Sequence, residues 1–110
     1  MITSAFPTWP DVAPKLIEVA AGRAAADVVF RGGSWVNVHT REVLPDTDIA
    51  VVAGRIAYVG PDATRCIGEG TEVVDANGRF MVPGLCDAHM HIESGMLTPA
   101  EFARAVIPHG

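Results

Sequence analysis

At 110 residues and 49% hydrophobic content, the chain is long enough for one small domain with a core of its own and too apolar to read as disordered. Thirteen acidic against eight basic side chains give a formal charge of -5, and no Lys/Arg patch with interleaved aromatics occurs, which argues against a nucleic-acid partner. Charged residues interrupt every apolar run well short of about 18 residues, and no basic start leads into a hydrophobic segment, so neither a membrane span nor an export signal is expected.

Residues 1–10 hold two prolines, show no periodicity and read as an arm. From Asp11 the pattern changes: Val12, Leu16, Ile17, Val19 and Ala20 recur at helical spacing, Asp11 is placed to cap the start and Gly22 to stop it, predicting an amphipathic helix over 12–21. Residues 25–80 read as strands and tight turns. Two antiparallel strands, 27–30 and 35–38, are expected around Gly32-Gly33, followed by a polar connection over 39–46. Ile49–Val52 and Ile56–Val59 flank Ala53-Gly54-Arg55, where Gly54 can supply the positive φ of a hairpin turn. A polar loop over 60–71 leads to Val73-Val74, and Asn77-Gly78 marks a turn before Phe80-Met81-Val82. Together these predict a compact, sandwich-like β-domain with Trp35 and Tyr58 in its core or at a seam and Asp75 serving a turn or helix end. Gly32-Gly33 lacks both G-x-G-x-x-G spacing and a phosphate-binding lysine, so a plain turn is expected there. Cys66 and Cys86 lack C-x-x-C spacing; a reducing compartment, with the cytoplasm as the expected location, is the simplest fit.

The segment from Val82 to Glu93 carries the chemistry. On a buried strand Asp87, His89 and His91 would share one face, with Cys86, Ala88, Met90 and Ile92 on the other. Several buried polar side chains on one face need hydrogen bonds, water or a metal, and imidazoles are good ligands for borderline divalent ions. Two histidines do not complete a ligand set, and a His-x-His pair can also be an exposed accident, so spacing alone leaves both readings open. Beyond it, Thr98 as N-cap, Pro99 at N1, Glu101 at N3 and a Leu97/Phe102 staple predict a helix start; Phe102, Ala103, Val106 and Ile107 form its apolar stripe and Pro108 ends it. Strand, loop and helix make one α/β unit with Glu93 and Ser94 at the carboxyl end of the strand, where such folds place their sites. Glu93 could approach a metal, orient a ligand, bind substrate, or be a solvated loop acid.

The β-rich leader followed by Val82-Pro83-Gly84, Asp87 and His89-x-His91 resembles the amidohydrolase superfamily of metal-dependent hydrolases. Within it, His91-Ile92-Glu93-Ser94, Met96-Leu97-Thr98-Pro99 and the run from Glu101-Phe102 to Pro108-His109-Gly110 are similar to bacterial adenine deaminases. The resemblance implies an α/β fold class: an arm and short helix over 1–24, a small β-sandwich-like domain over 25–80, and over 81–110 the first strand-loop-helix unit of a (β/α)8 TIM barrel that is incomplete here. The fragment itself is then mainly β with a short helix at each end. The resemblance further implies His89 and His91 as metal ligands, Asp87 as a supporting acid, and Glu93 with Ser94 as an extension at the catalytic centre. His109 matches a recurrent histidine that is not expected to be a ligand. Gly95 stands where adenine deaminases usually show a second serine, which touches on substrate preference, and Cys86 replaces a more usual isoleucine.

The implied reaction is hydrolytic deamination of adenine to hypoxanthine and ammonia by a metal-activated hydroxide. The implied cofactor is a divalent metal, binuclear, with manganese or iron favoured and zinc compatible. The implied partner is a small-molecule purine, with no nucleic acid and no membrane expected, and a homo-oligomer of the full-length enzyme is left open. Two ligands cannot make a complete centre, so residues 1–110 alone are expected to be inactive and to bind metal weakly. One alternative is another amidohydrolase acting on a cyclic amide or a different aminopurine, which a carboxylatable lysine on the fourth barrel strand would favour. The other is a non-catalytic β-rich structural or interaction module.

Overall fold

A computed structural model of the chain describes residues 7–109. Five strands, β1 Val28–Asn37, β2 Glu42–Val52, β3 Arg55–Gly60, β4 Glu72–Asp75 and β5 Phe80–Met81, form one mixed sheet, with helices α1 Trp9–Ala20 and α2 Pro99–Val106 towards the two ends. Mainly β with a short helix on either side is the expected outline. The described strands lie in a single sheet rather than two facing ones, in the order β3-β2-β1-β4.

The helix over 12–21 begins earlier than its apolar pattern suggests, at Trp9, because the cap is Thr8 and not Asp11. Asp11 sits at N3, where its carboxylate accepts from the Thr8 N–H at 2.9 Å and from the Thr8 hydroxyl. Of the expected arm, residues 1–6 lie outside the described residues. The stop is as expected: Gly22, at φ +71°, donates to the Val19 carbonyl while Arg23 donates to that of Glu18, a Schellman closure that needs a left-handed residue. Val12, Leu16 and Val19 face inward and pack with Ala26 and Val29, with Ala50 and Val52, and with Ala63 and Cys66. Ile17, placed on the same stripe by spacing, is instead 60% exposed.

Three parts of the sheet differ from the sequence reading. The two strands expected around Gly32-Gly33 are one bulged strand: β1 pairs β2 antiparallel from Val28↔Val51 to Asn37↔Glu42, with register shifts on either side of Gly33. A carboxylate rather than a turn accommodates the glycines, since Asp48 accepts from the Gly32 N–H at 2.9 Å. The polar connection shrinks to residues 38–41, because polar side chains on an exposed strand end cost nothing and β2 already starts at Glu42. Asn77-Gly78 does form a turn, at φ 49° and 72°, with Asp75 accepting from the Asn77 N–H at 2.8 Å, yet it does not reverse the chain. β4 and β5 both run parallel to β1, at Val28↔Glu72 to Arg31↔Asp75 and again at Ser34↔Phe80 and Trp35↔Met81. Ala53-Gly54, both left-handed, close the expected β2–β3 hairpin between Val52 and Arg55. Tyr58 packs partly buried against the core with Arg65 over its ring, and Trp35 is half-buried on the sheet.

After Met81 the chain leaves the sheet, and residues 82–91 form no strand and are exposed. The buried strand expected for Asp87, His89 and His91 is therefore corrected. A parallel strand requires partners on its edges and layers on both faces, and the described residues supply neither here.

Candidate functional site

The two histidines converge without a strand to hold them. Nε2 of His89 stands 3.1 Å from Nε2 of His91, with ring centroids 5.1 Å apart. The turn that follows explains the third member of the group. A single 3₁₀ turn, Ile92–Gly95, starts directly after His91, with Ser94 N–H donating to the His91 carbonyl and Met96 N–H to that of Glu93. This folds Glu93 back over its i−2 neighbour, so that Glu93 Oε1 lies 2.8 Å from His91 Nδ1. The hydrogen bond from His91 holds the Glu93 carboxyl below its ordinary range, and a carboxylate in that contact accepts from the Nδ1–H of the ring. In the neutral ring with its hydrogen on Nδ1, Nε2 is the acceptor nitrogen, facing His89. Both His91 and Glu93 are open to solvent, at 63% and 76% side-chain exposure.

Asp87 does not join this group. Its carboxylate accepts from the His89 backbone N–H at 3.0 Å, a local turn bond that fixes the backbone ahead of the first imidazole. Rather than the histidine pair, it borders an open apolar cleft of about 580 Å³ lined also by Leu85, Met90, Ile92, Phe102, Val106, Ile107 and His109. Met90 and Ile92 thus part from His89 and His91, whereas Asp87, expected on the histidine face, lies with Met90 and Ile92.

The helix start forms where expected. Thr98 Oγ1 accepts from the Glu101 N–H at 3.4 Å and Pro99 occupies the first helical turn, but the reciprocal half of the capping box is absent because Glu101 pairs with Arg104 at 2.9 Å. Met96, between the 3₁₀ turn and α2, adopts φ 52°, an uncommon conformation for a long side chain.

The donor set fits a divalent cation in part. The 3.1 Å between the two Nε2 atoms is that of a hydrogen bond between imidazoles, and once that hydrogen is displaced the pair offers two nitrogen ligands of the four that a tetrahedral zinc needs. Among the described residues, however, no group of three or more His, Cys, Asp or Glu side chains is arranged to hold a metal ion. Among the described residues no functional side chain emerges that the sequence did not point to. A structural one does: Asp48, buried and accepting from two backbone N–H groups, lies in a run whose burial does not alternate and so carries no periodic signal.

No family model matches the chain. Similarity along this chain is nonetheless high: it is 74% identical over 110 residues to an adenine deaminase of Ruegeria sp. (strain TM1040), 67% over 108 residues to that of Paracoccus denitrificans, and 51% over 104 residues to that of Clostridium botulinum. These alignments cover 100%, 98% and 94% of this chain. The chain spans about 18% of the length of these relatives. A crystal structure from Bacillus thuringiensis matches 61% of this chain and 90% of that one at 26% identity and a TM-score of 0.49.

Proposed function

We propose that the chain is the N-terminal part of an adenine deaminase, in which it supplies the first two ligands of a metal centre that hydrolyses adenine to hypoxanthine and ammonia. The observation that carries the reading is the convergence of His89 and His91 Nε2 at 3.1 Å within a chain 74% identical, end to end, to an adenine deaminase. Residues 81–110 are the first strand-loop-helix unit of a (β/α)8 barrel and residues 25–80 the accompanying small domain. In the full protein neighbouring barrel elements cover the cleft lined by Leu85, Phe102 and Val106.

His89 and His91 would hold one divalent cation, and later residues would complete a binuclear centre for which manganese or iron is favoured and zinc is compatible. Such an ion supplies Lewis acidity and lowers the pKa of water at the site. This chain's own residues do the rest of their work by placement. Asp87 fixes the turn ahead of His89 and Glu93 stands behind His91. The partner is a free purine rather than a nucleic acid or a membrane, and the protein works in the cytoplasm. Residues 1–110 alone leave the centre unfinished and are inactive.

The full-length protein, assayed for ammonia release from adenine and from guanine and for hydrolysis of a dihydropyrimidine, decides the substrate. Adenine is the expected one. Cyclic-amide hydrolysis with no ammonia from adenine would assign the chain to another branch of the same superfamily.

A further inference from the structure

We infer that Glu93 is a positioning residue for His91, fixing the Nδ1–H tautomer and the ring orientation so that Nε2 is presented as a bare donor atom beside His89. The inference rests on the proposed role of the two histidines as ligands.

A neutral imidazole carries one hydrogen, and only the other nitrogen can bind a cation. In this chain the choice is made two residues away. The carboxylate at 2.8 Å from Nδ1 accepts its hydrogen, which leaves Nε2 unprotonated and directed at His89. The two nitrogens diverge from the ring, so an oxygen engaged at Nδ1 stands on the far flank from an ion at Nε2. This separates Glu93 from the roles of direct ligand and of proton carrier at the reacting atoms. The device is local: the 3₁₀ turn Ile92–Gly95, closed by the Ser94 and Met96 N–H groups, aims the side chain back at His91. Its strength grows when a cation binds, because a metal-bound imidazole is a stronger N–H donor to a carboxylate.

The test uses the full-length protein and the metal alone as probe. Mn2+ affinity is measured by competition with a chelator for the parent and for Glu93→Ala, Glu93→Gln and His91→Ala, with circular dichroism to check folding. Loss of such an outer partner weakens metal binding by roughly 10–100-fold, which is the expectation for E93A. E93Q should keep most of the affinity, since its amide oxygen still accepts from Nδ1–H. Parent-like binding by E93A while H91A binds poorly overturns the inference. Equal losses in E93Q and E93A overturn it as well, in favour of direct coordination by the carboxylate. Undiminished binding by H91A instead removes the ligand reading on which the inference stands.

Discussion

Asp48 offers the sharpest check on the physics of the sheet. It is 4% exposed, and its two oxygens accept from the Gly32 N–H and the Ala63 N–H, each at 2.9 Å, while Arg31 Nε approaches at 3.4 Å. The first bond holds the bulge in β1 and the second holds the loop that carries Ala63 and Cys66 into the core. Hydrogen bonds to an ionised acceptor are worth about 1.5–3 kcal/mol each, so Asp48→Ala, which orphans both donors, should cost roughly 3–6 kcal/mol. Asp48→Asn keeps one acceptor and turns an NH2 towards the other donor, for a loss of about half as much. Arg31→Ala should cost under about 1 kcal/mol, because the Arg31 side chain is 45% exposed and the pair is long. Urea titrations at neutral pH, followed by circular dichroism and compared at constant slope, measure all three. A near-neutral D48N, or an R31A as damaging as D48N, would refute the assignment of this carboxylate to the backbone.

Two further outcomes follow from the same contacts. Asp11 is held below the usual carboxylate range by its hydrogen bonds from Thr8, so its contribution to the start of α1 is complete above the unfolded aspartate pKa and is lost as pH falls through the depressed folded value. An acid titration of helicity should show this step in the parent and lose it in Asp11→Asn; an unchanged D11N profile would place the helix start elsewhere. Burial pushes the Cys66 thiol up and closes it to solvent, whereas Cys86 is exposed. A thiol reagent should therefore label Cys86 in the native protein and Cys66 only on unfolding, and rapid native labelling of Cys66 would contradict the packing beneath α1.

Where local chemistry decides, the sequence is a good guide. Gly22 ends α1 and Ala53-Gly54 turn the β2–β3 hairpin because each requires a left-handed backbone. Thr98 and Pro99 begin α2 because a cap and a proline at the first turn suit no other position as well. Where partners decide, it is a poorer one. The Gly32-Gly33 pair looks like a turn until Asp48, sixteen residues later, is seen to hold it within a strand. Asn77-Gly78 looks like a reversal, yet both its flanks find the same neighbour in β1. The alternation of Asp87, His89 and His91 predicts a buried strand because it is a pattern suited to neighbours on both faces. Without them the segment stays irregular and exposed, and only the pairing of the imidazoles and their parting from Met90 and Ile92 survive. Glu93 is visible in the sequence as an acid near the site; its bond to Nδ1 depends on a 3₁₀ turn that no periodicity announces.

In the proposed function His89 and His91 are two ligands of a centre completed from outside residues 1–110. A calorimetric Mn2+ titration of the 110-residue chain beside the full-length protein tests it most directly. Weak binding by the short chain, tight binding by the full-length protein, and loss of both in His89→Ala/His91→Ala are the predicted results. Equally tight binding by both proteins, or undiminished binding by the double variant, would contradict it.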